Sequence, residues 1–263
     1  MRIITSTEQK NIQLEILDDV HEFCRKNGLL YSLCGGSMLG AVRHEGYIPW
    51  DDDIDLMMPR SDYERFKKLY RSDLNEVIDL SALDSCTEQF LKVSRRGTIQ
   101  EDTALHRRLW GLCIDIFPID GMPEAYQAYT DRLRNIHLAV TETCPYYKEA
   151  KRNRLYWHLR FLLKRILKKT SGDVLQLKRQ LNDAALAHLP ENSPLSTVIY
   201  GDFRIFPFPS KMFFDIKEII FEGKKYQCIA DTDLYLRTVY GDYMQLPPAE
   251  KRISHHYNTY MKD

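Results

Sequence analysis

The sequence predicts a mixed α/β fold of the α+β type, in which a mixed sheet is flanked by helices. Three short apolar runs, at 29–34, 90–94 and 112–117, have the length and composition of buried strands. Around them, apolar residues recur at helical spacing. With 263 residues, 44% of them hydrophobic and 28% charged, the chain is long enough for one large globular domain.

The first half is predicted to alternate helices with strands. In order, the expected elements are a helix from a capping box at Ser6–Gln9 to Asn27, a strand at 29–34, a helix at 37–43, a strand at 53–58, a helix capped by Ser61, and strands at 90–94 and 112–117. Pro59 and Pro118 are predicted to end the strands that precede them, because proline cannot donate a ladder hydrogen bond.

The second half is predicted to be helical and then to close with a hairpin. The expected elements are helices at 124–143, 148–169 and 173–188, a proline-rich connection at 190–209, a hairpin pairing 219–221 with 226–229, a helix at 233–240, and a terminal helix after Pro248. Three parts follow from this order. We expect a catalytic core at 1–123, a helical region at 124–189, and a C-terminal part at 190–263 that completes the same compact unit.

Charge and cysteine usage narrow the functional classes. The 37 basic residues balance the 37 acidic ones, so the overall charge gives no argument for nucleic-acid binding. The N-terminus lacks the apolar core of a signal peptide, and no apolar run is long enough to span a membrane. The six cysteines are scattered without a C-x-x-C pair, which predicts reduced thiols and no zinc site. We therefore expect a cytoplasmic protein, with peripheral contact at the inner face of the cell membrane as a variant.

The densest chemical signal is the run from Trp50 to Leu56, where four aspartates are set among apolar residues. Asp53 and Asp55 are spaced i, i+2, which on a strand directs both carboxylates to one face. Adjacent carboxylates repel, and each raises the pKa of the other unless a cation lies between them. Oxygen ligands favour Mg²⁺, with Mn²⁺ as the alternative, over zinc. Asp115, inside an apolar run, is predicted to add a third carboxylate from a neighbouring strand.

The aspartates allow two other interpretations. A calcium loop beginning at Asp51 would need glycine at its sixth position and glutamate at its twelfth, but Leu56 and Asp62 stand there, so that interpretation fails. Asp115 could instead be a strand-end residue that caps a turn. The turn at Gly36-Ser37 is weak evidence by itself, although Ser37 could begin a helix whose N–H groups face an anion.

Three segments resemble the LicD family. The long segment 34–55, which includes Gly35-Gly36-Ser37 and Trp50-Asp51-Asp52-Asp53-Ile54-Asp55, is similar to the family's signature. Residues 115–120 resemble its second acidic motif, and residues 240–248 resemble its C-terminal motif. The resemblance covers roughly 29–256 and implies a nucleotidyltransferase-like fold. It also implies transfer of phosphocholine or a related alcohol phosphate to surface glycans, with the fukutin-type proteins as relatives.

By this resemblance, Asp53, Asp55 and Asp115 would be the catalytic residues and would hold one or two Mg²⁺ ions (or Mn²⁺) on the donor's phosphates. Asp115 is the favoured acceptor of the proton from the attacking hydroxyl. The implied donor is a CDP-alcohol, with CDP-choline favoured, and CMP would be released. The implied acceptor is a sugar hydroxyl of teichoic acid, lipopolysaccharide or capsule. One alternative is a nucleotidyltransferase that uses an NTP and releases pyrophosphate; another is a non-catalytic module.

Substrate contacts are predicted from the basic and small residues around the acidic run. The predicted substrate-binding residues are Gly36, Ser37, Arg43, His44, Lys92, Arg252 and His255. For Arg43 an ion pair with one of the aspartates is an equal alternative, and for His255 a structural role is the alternative.

A basic segment at 148–169 carries nine Lys and Arg residues and a single acid, with leucines and isoleucines interleaved at near-helical spacing. One interpretation is an amphipathic helix on an anionic membrane, which would suit a lipid-linked acceptor glycan. The favoured alternative is a helix that packs its apolar stripe on the domain. No nucleic-acid partner is expected, because the pattern of aromatic residues that binds single strands is missing.

Overall fold

The fold is taken from a computed structural model that describes residues 1–83, 88–102, 107–108, 110–123, 128, 131, 174–198, 205–252 and 257–262. Its helices are α1 (Ser6–Asn27), α2 (Gly35–His44), α3 (Arg60–Leu69), α4 (Val174–Leu186) and α5 (Thr232–Tyr240). Its strands are β1 (Arg2–Ile3), β2 (Ser32–Leu33), β3 (Asp55–Pro59), β4 (Asn75–Asp79), β5 (Leu91–Arg95), β6 (Thr98–Asp102), β7 (Arg107–Arg108), β8 (Cys113–Met122), β9 (Leu195–Val198), β10 (Phe208–Pro209), β11 (Ile216–Phe221), β12 (Lys224–Ile229) and β13 (Tyr257–Met261).

The main sheet of the described residues has seven strands arranged around β8. β8 runs parallel to β3, whereas β2 pairs antiparallel with β3, and both β5 and β9 pair antiparallel with β8. β4 extends the sheet beyond β5, and β10 extends it beyond β9. Because α1 and α3 pack on β8 and α2 packs on β3, helices flank this mixed sheet. The predicted α/β fold class is confirmed.

Two smaller sheets complete the described structure. β13 lies between β1 and β6, with β7 beyond β6, so the last strand joins the N-terminus to the middle of the chain. β11 and β12 form the predicted hairpin, which turns at Glu222 and Gly223. Both turn residues have positive φ, 50° and 75°, as expected for the tight turn that best matches strand twist.

The first helix begins one residue earlier than the sequence pattern predicts. Thr5 is the N-cap, its Oγ1 accepts from the Glu8 N–H at 3.2 Å, and the Glu8 carboxylate accepts from the Thr5 N–H at 2.7 Å. This reciprocal capping box replaces the one expected at Ser6–Gln9. The helix ends at Asn27, as predicted, and its C-cap Gly28 has the left-handed conformation.

The prediction that Pro118 ends its strand is wrong. β8 continues to Met122, and Pro118 pairs with Met58 of the parallel neighbour β3. On the other side of β8, β5 pairs only up to Ile116 and β9 begins at Ile119. Pro118 therefore falls in the gap between two partners, where its missing N–H leaves no acceptor unpaired.

The terminal helix predicted after Pro248 is also wrong. A single 3-10 turn at Ala249–Lys251 is followed by β13, whose place is fixed by pairing with β6. Local sequence could not indicate this partner, because more than 150 positions separate the paired strands. The helix expected at 173–188 is α4, whereas those expected at 124–143 and 148–169 lie outside the described residues. No helix in the described ranges is long and apolar enough to cross a membrane.

A buried ion pair fastens α3 to β8. The Arg60 guanidinium donates to both carboxylate oxygens of Asp120, at 2.6 and 2.8 Å, and both residues are almost fully buried. Burial alone lowers the pKa of Arg60, but the Asp120 charge and hydrogen bonds outweigh it and raise that pKa above its ordinary value. Arg60 also follows β3 directly, so the pair fixes the parallel β3–β8 register from the end opposite Asp55 and Asp115.

Removing one partner of this pair should destabilise the protein much more than replacing both partners. We expect Asp120→Ala to lower the free energy of unfolding by about 3–5 kcal/mol, because it strands a buried guanidinium. The double variant Arg60→Met/Asp120→Leu should recover much of that loss. Urea unfolding followed by circular dichroism measures both. Equal losses in the single and double variants would contradict this reading of the pair.

Candidate active site

Two aspartates meet at the start of the parallel strand pair. Asp55 is the first residue of β3, and it pairs in register with Asp115, the third residue of β8. Adjacent strands lie about 4.8 Å apart, so paired residues direct their side chains to the same face at close range. Leu56 and Ile116 face the opposite side and are fully buried in the core. The predicted adjacency of Asp115 to the acidic run is present in the structure.

The remaining aspartates lie in a loop rather than on the strand. The prediction that the strand begins at Asp53 is wrong, because residues 51–54 have no strand pairing and β3 begins at Asp55. The loop brings one carboxylate oxygen of each of Asp51, Asp52 and Asp53 within 4.8 Å of one another. The aspartates are half-buried, and the charge of Asp53 still acts on both Asp55 and Asp115. The loop and the two strand ends thus form one acidic cluster.

The glycine turn allows this cluster to press against the start of α2. A Cβ atom added to Gly35 would lie 2.9 Å from Oδ2 of Asp55, and one added to Gly36 would lie 2.6 Å from Oδ2 of Asp51. Gly35 also has a positive φ of 52°. Ser37 accepts a hydrogen bond from the Asp55 N–H at 2.8 Å, which ties the helix to β3. The carboxylates therefore approach the positive end of a helix dipole, which favours anions.

Burial and mutual repulsion oppose ionisation in the cluster. Burial raises the pKa of Asp55 well above its ordinary value, and the charges of Asp53, Asp115 and Asp51 raise it further. Burial also raises the pKa of Asp115, and the neighbouring Lys92 ammonium only partly offsets this. A divalent cation held by these oxygens would remove the repulsion. The residues fit such an ion by their chemistry, since Mg²⁺ and Mn²⁺ take carboxylate oxygens.

Lys92 contacts the third carboxylate. It pairs in register with Asp115 across β5 and β8, and its Nζ lies 2.5 and 2.7 Å from the two carboxylate oxygens. Burial lowers the pKa of Lys92, but the charge of Asp115 outweighs this and raises it. The ammonium also lies 5.1 Å from the ring centres of Phe90 and Trp110. In this structure, the residue predicted to contact donor phosphate is engaged with Asp115.

A group of cationic side chains lies beside Trp50, the residue before the acidic loop. The Arg252 guanidinium stacks over the Trp50 ring at 5.3 Å, and the His44 ring meets it edge-on at 6.4 Å. Arg43 donates to His44 at 3.0 Å and to the Tyr243 carbonyl at 2.6 Å. The ion pair considered for Arg43 is not formed with any described carboxylate. We call the guanidinium groups of Arg43 and Arg252, together with the adjacent imidazole of His44, the cationic group, because of its two arginine charges; His255 lies outside the described residues.

The positive charges in the cationic group repel each other. Burial lowers the pKa of Arg43, and the nearby charge of Arg252 lowers it further. Burial and the Arg43 charge likewise lower the pKa of His44, so its imidazole is neutral at pH 7. Two guanidinium groups close together, with no described carboxylate paired to either, are a favourable place for an anion such as phosphate.

Several supporting residues could not be recognised from the sequence. Gln13 of α1 is buried, donates to the Asp52 carbonyl at 2.8 Å and accepts from the Tyr47 hydroxyl at 3.1 Å. Tyr235 of α5 accepts from the Gly35 N–H at 3.2 Å. The helical spacing of Gln13 marks it only as a residue next to the core, and nothing local indicates its contact with the loop. Together these side chains hold the loop and the glycine turn in place.

A separate polar groove of about 1140 Å³ shares no residue with this site. Its lining includes Asp19, Tyr70, Asn75 and Arg95, from α1 and the β4–β5 edge of the main sheet. None of the predicted catalytic residues and none of the seven predicted substrate-binding residues lines this groove.

A mixed sheet with carboxylates at the paired ends of two parallel strands, beside a helix that begins with Gly-Gly-Ser, defines a nucleotidyltransferase-type fold for phosphoryl transfer. Comparison with known proteins agrees: residues 28–130 match the family model described as LicD/FKTN/FKRP, nucleotidyltransferase domain. The matched segment contains the glycine turn, the acidic loop, Lys92 and Asp115.

The chain belongs to the LicD family and is a phosphotransferase. It is 30% identical, over 265 aligned positions covering 97% of both chains, to the lipopolysaccharide cholinephosphotransferase LicD of Haemophilus influenzae. A shorter stretch of 52 residues, 20% of this chain and 10% of the relative, is 42% identical to the ribitol 5-phosphate transferase FKRP of mouse and of human. The expected family is confirmed.

Neutralising one carboxylate should stabilise the metal-free protein. In EDTA at pH 8, we expect Asp55→Asn to raise the melting temperature by a few degrees, because it removes charge repulsion at a half-buried position. The raised pKa of Asp55 means that this repulsion grows as pH rises from the ordinary carboxyl pKa through the folded-state value. The gain should therefore vanish at acidic pH, where Asp55 is protonated.

Differential scanning fluorimetry across pH measures this effect, with Asp73→Asn, at an exposed acid, as the matched control. If Asp55→Asn lowered the melting temperature at pH 8, the claim of mutual repulsion would fail.

Adding one methyl group to the glycine turn should weaken cation binding. In Gly36→Ala the new Cβ would collide with the Asp51 carboxylate, 2.6 Å away, and displace it. We expect roughly tenfold weaker Mn²⁺ binding by isothermal titration, in the range found when groups that orient metal ligands are lost. An unchanged circular dichroism spectrum would show that the helix still forms. Unchanged Mn²⁺ affinity would mean that Asp51 takes no part in cation binding.

Proposed function

We propose that the protein is a Mg²⁺-dependent transferase that moves phosphocholine, or a related alcohol phosphate, from a CDP-linked donor to a sugar hydroxyl of a cell-surface glycan. The observation that carries the proposal is that the acidic cluster follows Trp50 directly in the chain, while the Trp50 ring contacts Arg252 and His44 of the cationic group. The acidic cluster, through its metal ion, and the cationic group would both bind the diphosphate of the donor. The near full-length similarity to a lipopolysaccharide cholinephosphotransferase supports choline as the alcohol.

The residues that would hold the metal are the loop aspartates and Asp55, with Asp115 alongside. When bound, Mg²⁺ supplies charge neutralisation for the donor phosphates and for the leaving group. The start of α2 lies against the same aspartates, and the positive end of its dipole would favour a phosphate oxygen there. Ser37 is already engaged with Asp55, so its proposed contribution is to position the turn.

The chemistry breaks the phosphoanhydride bond of the donor and forms a phosphodiester bond to the acceptor. The acceptor hydroxyl oxygen forms a bond to the phosphorus of the alcohol phosphate, and the bond from that phosphorus to the CMP oxygen breaks. The hydroxyl proton is taken by a carboxylate, for which Asp115 is the best-placed candidate on the strand beside Asp55. Arg43 and Arg252 would stabilise the charge that develops on the departing CMP.

A nucleotidyltransferase reaction with an NTP is the second candidate, because the same acidic cluster could serve it. Incubation with CDP-choline, CDP-glycerol, CDP-ribitol and the four NTPs, with a glycan acceptor and Mg²⁺, separates the two. We expect CMP from a CDP-alcohol, and no release in EDTA. Pyrophosphate without CMP would overturn the proposal in favour of the second candidate.

The cationic group should govern donor affinity. We expect Arg43→Met and Arg252→Met each to raise the KM for CDP-choline by roughly 10–100-fold, the value of about 1.5–3 kcal/mol for a hydrogen bond to a charged group. Arg237→Met is the matched control, because Arg237 is an exposed arginine of α5 that pairs with Asp233 instead. Equal KM values in all three variants would show that the donor binds elsewhere.

A further inference from the structure

Lys92 is a buried cation that pairs with Asp115. It lies in a site whose carboxylates are expected to bind a divalent metal ion as well. It is 9% exposed, and its Nζ contacts both oxygens of Asp115. The register of β5 on β8 places the two residues directly opposite each other. Their contact is therefore fixed by strand pairing and does not depend on a flexible loop.

The surroundings of the ammonium hold it there. The Phe90 and Trp110 rings lie at 5.1 Å, a distance that favours a cation against an aromatic face. Cys113, on the same face of β8, places its sulfur 3.9 Å from the nearer Asp115 oxygen. Moving Lys92 away would cost it a carboxylate and two aromatic contacts at once, so this position is strongly preferred.

This arrangement divides the carboxylates into two sets. The loop aspartates lie within reach of one common ion. Asp115 has an ammonium on both of its oxygens, and a metal ion approaching those oxygens would meet a like charge at close range. We propose that Lys92 is a positioning residue that withholds Asp115 from the metal and keeps its carboxylate available to the acceptor hydroxyl.

The inference rests on the proposed function and assigns Asp115 the proton-accepting role. As the bond between the hydroxyl oxygen and phosphorus forms and the bond to CMP breaks, the proton passes to an Asp115 oxygen. The metal is left to the loop aspartates and Asp55. Lys92 itself would touch neither substrate nor metal, and its effect on rate would come entirely through Asp115.

Mn²⁺ affinity, measured by isothermal titration without any substrate, tests the division directly. We expect Asp115→Asn to bind Mn²⁺ like the parent protein, and Asp53→Asn to lose roughly a factor of ten or more. Lys92→Met should bind Mn²⁺ severalfold more tightly, because the released Asp115 joins the ion. That gain should disappear in Lys92→Met/Asp115→Asn. Lys92→Arg, which can still pair with both oxygens, should resemble the parent.

Activity provides the second readout. In the CDP-choline assay, Lys92→Met should lower kcat strongly while the KM for the donor changes little, and Lys92→Arg should restore much of kcat. If Asp115→Asn lost Mn²⁺ binding as severely as Asp53→Asn, or if Lys92→Met left Mn²⁺ affinity unchanged, the inference would be overturned. Failure of every CDP-alcohol to react would instead overturn the proposed function, because the Mn²⁺ titrations do not depend on a donor.

Discussion

Crowded negative charge is the constraint on which the site depends. Five aspartates converge where one loop meets the paired ends of β3 and β8, and burial makes their repulsion expensive. Three sources of positive potential oppose it: the start of α2, the Lys92 ammonium and, in the proposed enzyme, a divalent ion. The first two are built into the fold. The repulsion that remains is what would give the protein its affinity for the third.

The rest of the architecture keeps these charges from moving apart. The Arg60–Asp120 pair fixes the register of β3 on β8. Ser37 ties α2 to the first residue of β3, and Gln13 donates a hydrogen bond to the acidic loop. These contacts hold the charged groups in fixed positions, as expected for a phosphoryl-transfer site that works mainly by positioning and electrostatics. The cationic group, set by α2 and the C-terminal segment, contacts Trp50, the residue before the acidic loop.

Sequence patterns predicted those elements of the fold whose signals lie in neighbouring residues. The first helix, the hairpin at Glu222-Gly223, the glycine turn and the third carboxylate in the run around Asp115 all carry signals in nearby residues. The strands that were missed, β1, β4, β6, β7, β9, β10 and β13, are short or depend on distant partners. The same dependence on distant partners explains which features of the site were predicted and which were missed. The aspartates were evident from their spacing, whereas the commitment of Lys92 to Asp115 follows from a cross-strand register that no local pattern contains.

In the proposed enzyme, the loop aspartates and Asp55 bind a divalent cation next to the cationic group. The most direct measurement is a crystal structure with Mn²⁺ and CDP-choline, with anomalous scattering used to locate the ion. We predict one or two anomalous peaks bounded by Asp53 and Asp55, with the diphosphate running from the ion towards Arg43 and Arg252. An ordered diphosphate with no peak at these aspartates, or a peak at a distant surface, would contradict the account.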